Sequence, residues 1–211
     1  MAKTVRAYHF VPACYGVEDL RRRRLKIVRV DDLNDPFELW AVAQGDRDVR
    51  EALKRLKNKM ARSFGMLCFS LSRDNPLLWR HYAERHHGIA LGFDIDQQIL
   101  KEVSYVEKRP VLNEISIEVA RWLLFTKYIE WQYENEVRIF TTLQEQDPDS
   151  ELFFANFNDQ LVLREVIVGP LSSVTKSQLK EALGEHSARV TLTKARLAFN
   201  SFRVVTDQRG L

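Results

Sequence analysis

Apolar positions along the chain fall into two periods, and an element is expected to end wherever the period changes. "VRAYHFV" (5–11) alternates and is rich in β-formers, which predicts a first strand with Tyr8, His9 and Phe10 near its end. "GVEDLRRRRL" (16–25) has the look of a short helix, and "KIVRV" (26–30) predicts a second strand. Turn chemistry follows in "DDLNDPFE" (31–38), where Pro36 restrains the residue before it. Across 46–62, Val49, Leu53, Leu56 and Met60 recur every third or fourth position, the stripe of an amphipathic helix. "GMLCFSLS" (65–72) is a continuous apolar run and predicts a buried central strand.

The helix expected at 74–88 is the best punctuated in the chain: Asn75 can cap it, Pro76 sits at its first position and Gly88 closes it. Strands are predicted at 89–95 and 103–107, and Ile115, Val119 and Trp122 share a helical face through 113–126. "NEVRIF" (135–140) alternates strictly, which sets Glu134, Glu136 and Arg138 on one side of a strand and Val137 and Ile139 on the other. A polar loop at 144–151 precedes a strand at 162–169. Thr175 with Gln178 then reads as a capping box for a helix that Gly184 ends. "RVTLTKA" and "FRVVT" finish the chain as strands. Many strands, few helices and no regular strand–helix alternation give an α+β class. We expect a single domain over 1–211, with a mixed, largely antiparallel sheet and flanking helices.

Composition narrows this picture only a little. A chain of 211 residues with 45% hydrophobic side chains can bury a sizeable core. The formal charge of +3 weakly favours an anionic partner such as a nucleotide or nucleic acid. Its basic runs, "RRRR" (21–24) and "KRLKNKMAR" (54–62), read first as solvated helix faces. Two cysteines, Cys14 and Cys68, stand in no paired spacing, which suits a reducing compartment. The first residues lack an apolar secretion segment and no run reaches membrane length, so a cytoplasmic protein without a membrane partner is expected.

Candidate chemistry gathers at "KYIEWQYENEVRIF" (127–140). Carboxylates at i and i+2 of a strand lie about 7 Å apart at their Cα atoms, close enough to raise one another's proton affinity. Such a pair suits a general base or a group that stabilises a cation, and Arg138 could neutralise one of them or bind phosphate. The plain alternative is a solvent-facing strand side laced with salt bridges. Trp131 could line a pocket wall, whereas Trp79 reads as core. His81, His86 and His87 lack the i, i+4 spacing of a helical zinc pair, and no metal is expected. Walker, G-x-G-x-x-G and G-x-S-x-G motifs are absent from the sequence. Ser70 and Ser72 read as turn residues after a strand, and Cys68 as an inert buried thiol.

Taken together, "NDPFE" (34–38), "LCFS…NPLLWRHYAERHHGIALGFD" (67–94), "KYIEWQYENEVRIF" and "REVIVGP" (164–170) resemble the bacterial family DUF2971. That resemblance implies no settled reaction; some members look like parts of phage-defence or toxin loci. More distantly, the order of elements is similar to the ADP-ribosyltransferase fold with its split sheet. There a first strand carries Arg or His beside an aromatic, a middle strand carries Ser, and a late strand carries the catalytic Glu. The matching positions are His9 with Tyr8, Ser70, and Glu134-Asn135-Glu136, although the S-T-S triplet is replaced by "FSLS". The resemblance implies NAD as substrate, Glu136 as the carboxylate that stabilises an oxocarbenium-like cation, and Glu134 orienting or deprotonating the acceptor. Tyr8, His9, Ser70, Trp131 and Arg138 would hold the dinucleotide, and the acceptor would be protein or nucleic acid. A non-catalytic module binding a partner or nucleic acid, and a metal-dependent nuclease using Glu134 and Glu136, are the alternatives.

Overall fold

The structure is a computed structural model that describes residues 3–35, 37–38, 47–109 and 116–211, so the expectations for Pro36 and Ile115 lie outside it. The first half holds β1 (Thr4–Val11), α1 (Ala13–Arg22), β2 (Arg24–Lys26), β3 (Val28–Arg29), α2 (Arg47–Ala61), β4 (Phe64–Ser70) and α3 (Pro76–Tyr82). Next come β5 (Ile89–Asp96), β6 (Leu100–Glu102), β7 (Ser104–Val106), α4 (Ile117–Leu123), β8 (Thr126–Tyr128) and β9 (Glu136–Thr142). The chain closes with β10 (Phe154–Asn156), β11 (Leu161–Val168), α5 (Lys176–Leu183), β12 (Thr191–Leu197) and β13 (Val204–Thr206).

Among the described residues nine strands share one sheet, in the order β13-β12-β11-β5-β1-β4-β9-β6 with β3 beside β4. Only β11 and β12 run parallel in it, so the sheet is mixed and largely antiparallel, as the pattern predicts. On one face, Leu20 of α1 and Leu179 and Leu183 of α5 pack with Leu91, Phe93, Val166 and Val168. On the other, Leu78 and Trp79 of α3 pack with Phe10, Ala90 and Ile167, and Trp79 is wholly buried. Burial of such aliphatic and aromatic side chains, about 1.5–3 kcal/mol each, is what holds the layers together.

Several expected boundaries move. The strand read at 26–30 is two short strands, because the amide of Ile27 bonds to the Phe153 carbonyl instead of a neighbour in the main sheet. Asn75 caps α3 as expected, its Oδ1 accepting from the Leu77 amide at 2.9 Å. The helix stops at Tyr82 rather than near Gly88, and Glu84, Arg85 and His86 follow with φ of 47°, 54° and 73°. Left-handed backbone costs about 1–2 kcal/mol at each such residue. The turn is held from both ends: Gly88 N–H bonds the Ala83 carbonyl at 2.8 Å, and a Cβ on Gly88 would lie 2.3 Å from the Val11 carbonyl.

The edge of β4 that faces β1 positions the site. Strand β9 pairs with β4 along its whole length, from Phe64 to Ser70, on the opposite edge. The near edge is shared: β1 touches it only at Tyr8↔Ser70, and β3 pairs with it only at Gly65 and Met66. Between those contacts β1 and β4 part, and a window opens beside Leu67, Cys68 and Phe69. Inside it the Cys68 carbonyl lies 3.0 Å from His9 Nδ1, a side chain standing where a strand amide would be.

Candidate functional site

Glu134 does not lie on a strand, contrary to the alternation. Residues Ile129–Glu134 form tight helical turns, Asn135 is left-handed (φ 45°, ψ 52°), and β9 begins only at Glu136. The turn nevertheless aims both carboxylates at one cation. Lys127 Nζ lies 2.6 Å from Glu134 Oε2, 3.3 Å from Glu136 Oε2 and 3.5 Å from Glu38 Oε1. Arg138 donates from Nε to Glu136 Oε1 (2.7 Å), from one Nη to Glu136 Oε2 (2.9 Å) and from the other to the Leu124 carbonyl (2.7 Å). That last nitrogen is also 2.7 Å from Glu38 Oε2. The solvent-facing salt-bridged strand is therefore overturned: relative exposure is 0% for Arg138, 2% for Lys127 and Glu38, 3% for Glu134 and 7% for Glu136. The apolar neighbours Val137 and Ile139 alternate with these charges and fill the opposite face.

A cleft of about 200 Å³ opens at the window between β1 and β4. Its charged lining is Glu134, Glu136, Lys127 and Asp32, and its apolar wall includes Tyr8, Phe10, Val28, Phe69 and Leu78. Tyr82 and Asn34 stand at the charged side, with the Tyr82 hydroxyl donating to Glu134 Oε1 and the Asn34 amide donating to the Tyr82 oxygen.

The environment drives the two glutamates apart. Burial raises the proton affinity of Glu134, with the neighbouring charge of Glu136 adding to it and Lys127 opposing. Burial opposes ionisation of Glu136 too, but Arg138 and then Lys127 outweigh it and hold this carboxyl well below the usual range. Separated affinities in a facing pair mark one group that stays ionised and one that can carry a proton. Burial also lowers the proton affinity of His9, so its ring is neutral; with Nδ1–H donated to the Cys68 carbonyl, Nε2 is left as an acceptor.

The predicted residues fall in three places. Tyr8, His9, Ser70, Glu134 and Glu136 line the cleft together. Ser70 does so with its hydroxyl already engaged: it donates to the Glu134 carbonyl and accepts from the Ser72 amide, which fixes the turn that carries Glu134. Arg138 lies behind the cleft with its guanidinium occupied by Glu136 and Glu38. Trp131 packs its ring against Lys127 Nζ, 4.7 Å from the centroid, and so faces the cluster rather than the cleft. Sequence reasoning missed Lys127, Tyr82, Asn34 and Glu38. Two bases, Lys127 and Arg138, set among the three acids Glu130, Glu134 and Glu136 inside the aromatic run 127–140 were the available sign that its charges pair within the core.

Fold and site define an α+β domain with a charged cleft at an opening in its sheet. The profile of the family described as "Protein of unknown function (DUF2971)" matches residues 78–139, so the DUF2971 resemblance is shown over the segment that holds most of α3, all of β5 and both glutamates. No curated protein and no solved structure matches the chain. Among the described residues, no helix is long and apolar enough to cross a membrane.

Proposed function

We propose that the cleft is the active site of an ADP-ribosyltransferase-like enzyme that cleaves NAD. The observation that carries this reading is the meeting of His9, Ser70, Glu134 and Glu136, from three separate strands and one turn, on a single cleft at a split in the sheet. Breaking the bond between ribose C1′ and the nicotinamide nitrogen sends its electron pair to the nicotinamide and leaves positive charge on the ribose. Three buried carboxylates against two buried cations give the cluster an excess of negative charge, preorganised to stabilise that cation without reorienting water.

Roles follow from the electrostatics. Glu136, kept ionised by Arg138, supplies fixed charge, and Glu134, with its raised proton affinity, accepts the proton of the attacking group. His9 Nε2 accepts from a ribose hydroxyl, and Tyr8 and Phe10 offer the flat nicotinamide an apolar wall. Ser70 acts as a positioning residue for the Glu134 turn. Both glutamates already hold resident cations, which disfavours the nuclease reading that needs their oxygens for metal. The acceptor is protein or nucleic acid, and the reaction is placed in the cytoplasm, where a chain with two unpaired cysteines stays reduced.

Purified protein incubated with NAD and with protein, RNA or DNA acceptors should release nicotinamide. Glu134→Gln should slow that release about 10²–10⁴-fold, the usual worth of a general base, while the fold is retained. The wild-type rate should climb as pH rises through the raised Glu134 value, since the base works only when ionised. If NAD is neither bound nor consumed with any acceptor, the non-catalytic binding module takes over.

A further inference from the structure

The hairpin joining β12 and β13 exposes two aromatic rings far from any core. Phe199 is 87% exposed and Phe202 is 97% exposed, the highest values among the described large apolar residues. The loop is nonetheless well anchored: the Ala198 amide bonds the Arg203 carbonyl at 2.9 Å, and the Val204 amide bonds the Asp74 carbonyl at 2.8 Å. An ordered loop that spends two phenylalanines on solvent needs an account, because scattered single apolar residues are normal on surfaces but paired rings at one tip are not.

The surroundings say what fits. Between Thr191 and Leu211 the chain carries Lys194, Arg196, Arg203 and Arg209 against a single acid, Asp207. The Arg196 guanidinium lies over the Phe199 ring, 4.4 Å from its centroid, which leaves the other face of that ring open. Arg203 pairs with Asp74 at a solvent-exposed site, where such a pair exchanges readily for another anion, and the exposed Arg209 pairs with the mostly covered carboxylate of Asp207. Exposed rings to stack on, with guanidinium groups beside them, are the two requirements for holding single-stranded nucleic acid without regard to sequence. We propose that the β12–β13 hairpin docks single-stranded nucleic acid, with bases on Phe199 and Phe202 and phosphates on Arg196 and its neighbours.

Other occupants fit less well. The edge strand β13 has three residues, too few to pair stably with a second copy, and one hairpin tip falls short of the roughly 800 Å² per partner that a stable dimer buries. The polar tip residues Asn200 and Ser201 separate the rings, which suits individual base stacking better than insertion into lipid.

The test uses the full chain and a fluorescein-labelled oligothymidylate, with fluorescence anisotropy read at low and high salt. Wild type should bind with an affinity that falls as salt rises. The double variant Phe199→Ala, Phe202→Ala should bind at least about 10-fold more weakly, given the usual worth of base–aromatic stacking, and Arg196→Glu should weaken binding as well. Both sites lie on the surface, so circular dichroism should show an unchanged fold. Absence of oligonucleotide binding, or binding that the double variant leaves intact, would overturn the proposal. So would sedimentation of the wild type with phosphatidylglycerol vesicles in place of oligonucleotide binding, or a dimer that the double variant abolishes while no oligonucleotide binds.

Discussion

Two sets of ion pairs in this molecule have nearly the same distances and opposite settings. On α1, Glu18 holds Arg21 at 2.6 Å and Arg22 at 2.5 Å, with all three side chains about half in water. Behind the cleft, Glu136 holds Arg138 at 2.7 Å and Glu134 holds Lys127 at 2.6 Å, with every group nearly dry. Short distance alone therefore says little about what a pair is worth. On α1, water screens the attraction and would solvate either partner if the other were lost. In the cluster, losing one partner strands the rest in a medium that cannot solvate them. The comparison also assigns duties: the α1 charges keep a helix soluble, while the buried ones fix the charge state of a cleft.

The largest expected effect comes from Arg138→Met. It leaves Glu136 and Glu38 with Lys127 as their one remaining cation among the described residues, and removal of one partner from a buried cluster costs about 3–5 kcal/mol. Urea denaturation measures it, and a loss under about 1 kcal/mol would erase the distinction between the two regions.

A second effect appears on the acid side. Glu136 binds its proton less readily folded than unfolded, so its stabilising contribution is full above the ordinary carboxylate value and disappears as pH falls toward about 2. A depression of that size corresponds to roughly 3 kcal/mol at about 1.4 kcal/mol per unit, partly offset because Glu134 shifts the opposite way. Denaturation midpoints across this range should show the loss at low and at high salt alike. Glu18 is also lowered, by its hydrogen bonds to Arg22 and Arg21, but its share should vanish at high salt.

The smallest effect sharpens the comparison from the other end. Glu18→Gln should leave the urea midpoint unchanged within error at high salt, despite removing a carboxylate with two bonds as short as any in the cluster. A clear loss there would mean that exposure does not set the worth of these pairs.

What the sequence reveals divides along similar lines. The Asn75 cap and the Thr175–Gln178 capping box are legible because they are made within one turn of chain. The apolar runs of β4, β5 and β11 are legible because period and burial agree. Lys127 and Glu38 are not legible as members of the site, since a lysine and a glutamate are expected in water until a fold surrounds them. The alternation 134–138 misleads in detail: Asn135 adopts a left-handed turn that no period anticipates, yet that turn brings Glu134 and Glu136 to one lysine. The three-residue strands β6, β8 and β10 carry too short a pattern to stand out from loops. That His9, Ser70 and Glu136 meet is expected only from the likeness to the ADP-ribosyltransferase fold, because nothing local to those residues specifies it.

The single strand pairing between β1 and β4 divides the large sheet into two halves with a seam between them. Strands β13, β12, β11, β5 and β1 lock together through long ladders, as do β4 and β9, but among the described residues strand pairing joins the halves only at Tyr8 and Ser70, with the His9 side chain bonding the Cys68 carbonyl beside it. Partial opening follows the line with fewest backbone bonds to break. Amides flanking the window therefore exchange with solvent ahead of those in either half, and a guest gains entry by parting the seam while both ladders stay closed.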